Sequence, residues 1–274
     1  MFTCIDLFSG AGGLSSGLIK EGIVSKVAIE IEKDFAETFK LNHKNCDVIN
    51  DDINNIDFYK LARKQTSGTF DLVCGGPPCQ GFSTVGKKNE KDTRNSLFWQ
   101  FLRAVKEINP KMVLFENVSG FKKLYNSNAF NTLKLELNEL GYQVKSKILN
   151  AADYGTPQHR KRTIIVGFKE GIDFYFPFPT HSQDGDMSTK KYNTLNDAIS
   201  DLPYLDSNQS KKNYLKTKSL YQKELRGSEK ILTEHNSTKY GERMKLILSM
   251  IPKNGSVKDL PLQLRPKNYF KNTY

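Results

Sequence analysis

The sequence predicts an α/β protein built on a doubly wound, mainly parallel sheet. Three observations carry that reading. Short apolar runs alternate with helical patterns from Phe2 to Phe168. A glycine cluster, Gly10-Ala11-Gly12-Gly13, follows the first run and opens a helix. An acid, Glu30, closes the second run. In a sheet of this kind ligands sit at the carboxyl ends of the strands.

In chain order, Phe2–Phe8 reads as a strand and Leu14–Glu21 as a helix. Val27–Glu30 is a second strand and Asp34–Asn42 a second helix, with Phe35, Thr38 and Phe39 at helical spacing. A short strand around Cys46–Ile49 leads to Asp51-Asp52-Ile53, and Asp71–Cys74 is the next strand. Leu97–Glu107 is helical, with Leu97, Phe101, Leu102, Val105 and Ile108 on one face. Met112–Glu116 is a buried strand, and Ala129–Leu140 a helix stopped by Gly141. Gln143–Leu149 and Arg162–Phe168 read as two strands running antiparallel. Residues 181–225 are polar and rich in Asn, Ser and Lys, which predicts loops or a poorly packed region.

Composition narrows the class. A chain of 274 residues can bury a full core, as one large domain or one with a smaller companion. No apolar run is long enough to span a membrane, and an acid within Met1-Phe2-Thr3-Cys4-Ile5-Asp6 argues against a signal peptide. The four cysteines (Cys4, Cys46, Cys74, Cys79) lack metal-ligand spacing, so reduced thiols in a cytoplasm and no bound metal are expected. Residues 151–274 hold 21 basic and 13 acidic side chains, against 20 and 17 in residues 1–150. A basic second half suits a polyanion, although a solvated lysine-rich surface would look the same.

The glycine cluster lets backbone N–H groups meet a carboxylate or phosphate at a helix start. Glu30 is placed to accept hydrogen bonds from both hydroxyls of a ribose. The glycines lack the strict dinucleotide spacing, yet on these residues alone a nicotinamide dehydrogenase fits as well. A second motif is more telling. Gly75-Gly76-Pro77-Pro78-Cys79-Gln80-Gly81-Phe82-Ser83 presents one cysteine on a loop after an apolar strand. The prolines stiffen the approach to the sulfur and the glycines permit close contact. A rigid, accessible thiol there suits a nucleophile; a structural cysteine in a turn is the plainer alternative.

That nonapeptide, together with Asp6-Leu7-Phe8-Ser9-Gly10-Ala11-Gly12-Gly13, Glu116-Asn117-Val118 and Gln158-His159-Arg160-Lys161-Arg162, resembles the DNA cytosine-5 methyltransferases of bacterial restriction-modification systems. The four motifs keep the family's order and approximate spacing. The resemblance implies S-adenosyl-L-methionine as cofactor and double-stranded DNA as partner. By motif, Phe8, Gly10 and Gly12 would line the methionine end of the cofactor site. Glu30 would hold the ribose, Ile31 would pack on the adenine, and Asp52 with Ile53 would edge it. Pro78 and Leu97 would close the pocket near the sulfonium. Cys79 would add to carbon 6 of cytosine, Glu116 would stabilise the charged ring through nitrogen 3, Arg162 would contact the ring carbonyl, and Arg160 would support it or a phosphate. The base must be flipped out of the duplex, and Gln80–Ser96, basic and glycine-containing, resembles the family's moving loop.

The resemblance implies a catalytic and cofactor-binding domain over 1–175 and an incomplete target-recognition region over 176–274. Gly241-Glu242-Arg243 through Ile251-Pro252-Lys253-Asn254-Gly255 resembles the lead-in to that region, and the family's last two motifs have no counterpart. The expectation is a truncated chain, or the catalytic subunit of a split enzyme whose second subunit carries those motifs. Two rivals stay open: a tRNA cytosine-5 methyltransferase, and an inactive DNA- or cofactor-binding remnant.

Overall fold

Seven strands form the central sheet: β1 (Thr3–Leu7), β2 (Val24–Ile29), β3 (Asp47–Ile49), β4 (Leu72–Gly75), β5 (Met112–Val118), β6 (Gln143–Asn150) and β7 (Lys161–Phe168). The computed structural model describes residues 1–65, 68–78, 96–122, 128–253 and 255–265. The strand order is β3-β2-β1-β4-β5-β7-β6. β1 pairs in parallel with both β2 and β4, as do β2 with β3 and β4 with β5. β7 runs antiparallel to both β5 and β6, as the sequence predicts for the last two strands. The order reverses between β1 and β4, so a crevice opens at their carboxyl ends.

Helices α1 (Gly13–Lys20), α2 (Lys33–Asn42), α3 (Phe58–Arg63), α4 (Ser96–Ile108) and α5 (Asn128–Glu139) connect the strands. The core between α3, α4, α5 and the sheet is phenylalanine-rich, with Phe58, Phe70, Phe101, Phe115 and Phe121 fully buried. Phe101 and Phe115 meet edge to face at 5.1 Å between centroids, a preferred aromatic geometry. On α4 the core stripe is Phe98, Phe101, Leu102, Val105 and Ile108, at helical spacing. Leu97 lies beside that stripe rather than in it, only partly buried. On α2 the buried residues are Ala36 and Phe39, while Phe35 and Thr38 are exposed. Spacing alone groups Phe35 with Phe39, but the small Ala36 faces the sheet and turns Phe35 outward.

Two compact units are present, Met1–Tyr192 and Asn193–Tyr274. The second is not merely loops. It contains α6 (Leu195–Ile199), α7 (Leu220–Arg226) and α8 (Glu242–Met250). Thr194 with Asp197, and Ser219 with Gln222, form capping boxes that satisfy the first orphan N–H groups of α6 and α7. The Gln222 amide, buried, also donates to the Asn196 carbonyl and to Ser200 Oγ, tying α7 to α6. The polar composition of 181–225 conceals this, because polar contacts rather than an apolar stripe hold the two short helices together. A short ladder between β8 (His181–Ser182) and β9 (Lys190–Lys191) precedes them, in the first unit. Among the described residues no helix is long and apolar enough to cross a membrane, and no cluster of His, Cys, Asp and Glu could hold a metal ion.

Candidate functional site

A cavity of about 630 Å³ opens at the carboxyl ends of β1, β2, β3 and β4. Its size suits a ligand of nucleoside dimensions. Phe8, Gly10, Glu30, Ile31, Asp52, Ile53, Pro78 and Leu97 line it, together with Ile29, Glu32, Phe35, Asp51, Asn54 and Gly76. Ile31 and Phe35 are 60% and 52% exposed, so two large apolar side chains stand open to solvent at the cavity. Four carboxylates (Glu30, Glu32, Asp51, Asp52) line it, and no Lys, Arg or His does so among the described residues.

The walls are fixed by backbone geometry. Phe8, at the end of β1, has φ +58°, a left-handed conformation that a bulky residue rarely adopts. Such strain costs on the order of 1–3 kcal/mol and concentrates where ligands bind. Gly10 follows at φ +54° without that penalty. Glu30 is buried, and its two carboxylate oxygens accept from the Gly10 and Glu32 N–H groups at 2.7 and 2.8 Å. The carboxylate thus holds the glycine turn down while each oxygen keeps a second lone pair for a ligand hydroxyl. Asn50 donates to the carbonyls of Glu30 and Ile31, clamping β2 to the end of β3. Asp52 caps the short 3-10 turn Ile53–Asn55 by accepting from the Asn54 N–H.

Gly12 does not line the cavity. A Cβ there would stand 2.4 Å from the His43 ring and 2.8 Å from Phe39, and its φ is +91°. Its bareness serves the packing of α1 against α2. The His43 ring lies 3.1 Å from the Gly12 carbonyl oxygen, adding a polar contact under the turn.

The second half of the site lies on β5 and β7. Glu116 faces Ile164 across the antiparallel pair and Arg162 faces Val118, so Glu116 and Arg162 are diagonal neighbours on one face. Arg162 Nε donates to Glu116 Oε1 at 2.8 Å. Glu116 is half-buried and paired with Arg162. Arg162 spends one donor on this pair and another on the Lys161 carbonyl. Arg160 lies just ahead of β7 and is exposed. Gly76 joins the two halves: it lines the cavity, and a Cβ built on it would be 2.9 Å from Glu116 Oε2. Asn117, buried, donates to the Pro77 carbonyl at 3.1 Å and so pins the Pro77-Pro78 approach to β5. Thr163, its register partner and fully buried, donates to the Val118 carbonyl. Cys79 and the loop from Gln80 lie outside the described residues; Ser96 begins α4.

Sequence reasoning did not single out Glu32, Phe35, Asp51, Asn54 and Gly76 as cavity residues. Their signal was position, directly after strand ends already marked by Glu30, Asp52 and Pro78. Asn50 and Thr163 carry no readable motif.

The family model for C-5 cytosine-specific DNA methylases matches residues 2–271. The type II methyltransferase M1.HphI of Haemophilus parahaemolyticus is 35% identical over 271 residues, covering 96% of this chain and 64% of that protein. M.Eco47II of Escherichia coli is 34% identical over 100% of this chain and 58% of its own length. M.AquIA of Picosynechococcus is 38% identical over 73% of this chain and 88% of its own. The chain thus spans about 60% of the first two relatives. A crystal structure described as a candidate DNA modification methyltransferase from an Escherichia coli prophage superposes with TM-score 0.64 at 26% identity, over 93% of this chain and 66% of that one.

Proposed function

The chain belongs to the C-5 cytosine-specific DNA methylase family, and on that premise we propose that it methylates carbon 5 of a flipped cytosine in a specific duplex DNA sequence. The proposed setting is a restriction-modification system, in keeping with the type II methyltransferases among the relatives, and its proposed location is the cytoplasm. The donor is S-adenosyl-L-methionine, which when bound supplies an electrophilic methyl group and leaves as S-adenosyl-L-homocysteine.

One observation carries the reading. Gly76 lines the cavity, and a Cβ built on it would stand 2.9 Å from Glu116 Oε2, so a ligand in the cavity and a base held by Glu116 would be neighbours. The lining favours this cofactor over a dinucleotide. Four carboxylates and no cation, among the described residues, suit a positively charged ligand with ribose hydroxyls and oppose phosphates. Phe8, Ile31, Ile53 and Leu97 offer apolar surface to a flat heterocycle.

In the proposed reaction the Cys79 thiolate adds its electron pair to carbon 6. The displaced π electrons reach carbon 5, which takes the methyl group. Glu116 holds a proton at ring nitrogen 3 through Oε2, the oxygen beside Gly76, while Arg162 fixes Oε1. A base then removes the carbon 5 proton, and the electrons left behind expel the thiolate. Arg162 and Arg160 supply positive charge beside the base or its phosphate.

The test is transfer of labelled methyl from S-adenosylmethionine to duplex DNA and to tRNA. With a polypeptide bearing the family's last motifs present, the unaltered chain should label DNA, and Cys79→Ser should abolish labelling while retaining cofactor binding. Duplex carrying 5-fluorocytosine should be trapped on Cys79, because no proton can leave carbon 5; an adduct on Cys4, Cys46 or Cys74 refutes the assignment. Labelling confined to tRNA favours the RNA reading. A second polypeptide is also proposed as partner. Transfer that appears only when a chain bearing the family's last motifs is added supports it, and efficient transfer by the 274 residues alone overturns it.

A further inference from the structure

Arg103, on α4, makes contacts that no surface arginine needs. Its Nη2 donates to the Ile53 carbonyl at 2.9 Å and its Nη1 to the Ile56 carbonyl at 3.0 Å. Its Nε donates to Gln100 Oε1 at 2.6 Å, and Glu107 lies 3.3 Å from Nη1. The guanidinium stacks 4.6 Å from the centre of the Phe58 ring. Every nitrogen of the fork is engaged, and the two carbonyls bracket the 3-10 turn Ile53–Asn55, one on its first residue and one on the residue after it. The Ile53 carbonyl accepts from the Ile56 N–H as well, so the guanidinium adds a second donor there and reaches the carbonyl of the residue that ends the turn.

That turn is the cavity edge formed by Asp52, Ile53 and Asn54. Asp52 caps its start, and Asp51 Oδ1 accepts from Asn55 Nδ2 at 2.8 Å. Arg103 ties both ends of the turn to α4, the same helix that sends Leu97 into the cavity. A lysine could not replace this arrangement, because a single ammonium lacks the planar fork that reaches two carbonyls while stacking on a ring. A polar edge discriminates between ligands only when it is held still.

We propose that Arg103 is a positioning residue that sets selectivity for adenine by holding the Asp52–Asn54 edge rigid against α4. This rests on the cofactor reading above. The probe is calorimetric binding of S-adenosyl-L-homocysteine and of S-inosyl-L-homocysteine, in which a carbonyl replaces the adenine amino group. The unaltered chain should prefer the adenine compound by about tenfold, the usual consequence of one mismatched buried hydrogen bond. In Arg103→Lys that preference should fall by roughly threefold or more, with the thermal transition still cooperative. A lesion of stability alone would weaken both ligands equally and leave the ratio unchanged. Should Arg103→Lys not fold, Gln100→Ala, which frees the guanidinium at Nε, serves the same comparison with the same threshold. A smaller fall, or an unaltered chain that binds both compounds equally, overturns the inference while leaving the cofactor reading intact. An unaltered chain that binds neither overturns both.

Discussion

Asp6 is 1% exposed, at the centre of the sheet. Ser15 Oγ donates to its Oδ2 at 2.7 Å, tethering α1 to β1 on either side of the glycine turn. Burial pushes its carboxyl from 3.8 up to about 6, against the opposing pull of the Ser15 hydrogen bond. The fold therefore keeps a proton that the unfolded chain releases near pH 4. Stability from this group is fully present below about pH 4, declines as pH rises to about 6, and stays low above that. The shift corresponds to about 3 kcal/mol. Asp6→Asn keeps an acceptor for Ser15 and cannot ionise, so at pH 7 it should unfold about 5 °C or more above the unaltered chain. The gap should close toward pH 4 in a calorimetric series; a gap independent of pH would mean that Asp6 ionises alike in the folded and unfolded chain. Two adjacent glycines give a sharper contrast. A Cβ on Gly75 would lie 2.3 Å from the Leu7 backbone oxygen, whereas one on Gly76 meets the movable end of Glu116 at 2.9 Å. Gly75→Ala should cost about 3 kcal/mol or more by forcing β1 and β4 apart. Gly76→Ala should leave the thermal midpoint nearly unchanged and cut methyl transfer at least roughly tenfold, by displacing the carboxylate. Equal midpoints for the two variants would show that the sheet, rather than Glu116, yields in both.

The strands were legible because a buried parallel sheet writes near-continuous apolar runs, and Phe2–Phe8 and Met112–Glu116 are such runs. Glu30, Asp52 and Pro78, each at or just past the end of a parallel strand, marked the cavity from three separate elements. Less legible was anything set by packing between elements. Gly12 reads as part of a ligand turn, and nothing local shows that the ring of His43, far along the chain, leaves no room for a Cβ there. Phe35 reads as core by spacing, yet Ala36 takes that place. Short α3 escaped notice because six residues give too little periodicity, and the Glu116–Arg162 pair needed the β5–β7 register, which no local pattern encodes. That register makes a prediction. Asn117 and Thr163 are buried register partners whose side chains hold the Pro77 carbonyl and the carbonyl at the end of β5, that of Val118. Asn117→Leu removes the 3.1 Å hydrogen bond from β5 to the Pro77 carbonyl, at about 1 kcal/mol. Lost transfer should then exceed lost stability, because Pro77 and Pro78 set the approach to Cys79; a variant whose activity per folded molecule is unchanged would reduce Asn117 to a packing residue.

Charge is distributed by sign across the molecule. The chain carries +11 overall, while its cavity is lined by four acids. The two ligands of the proposed reaction are of opposite sign, and each meets the field that suits it: DNA the basic exterior, the sulfonium donor the acidic cavity. Salt should separate the two. Each phosphate that a lysine or arginine neutralises contributes a log–log slope of about −0.9 to DNA affinity, so even two or three contacts cost roughly tenfold or more between 50 and 200 mM salt. Cofactor binding involves one short-range cation inside a cavity whose Glu30 is buried, where screening is weak, and should change by less than about threefold. Fluorescence anisotropy with a duplex and calorimetry with S-adenosylmethionine, run over the same salt series, measure the two slopes. Because phosphate contacts carry no sequence information, the steep slope should be shared by unrelated duplexes. A DNA slope as flat as the cofactor's would mean that the net positive charge is a solvated surface with no part in holding DNA.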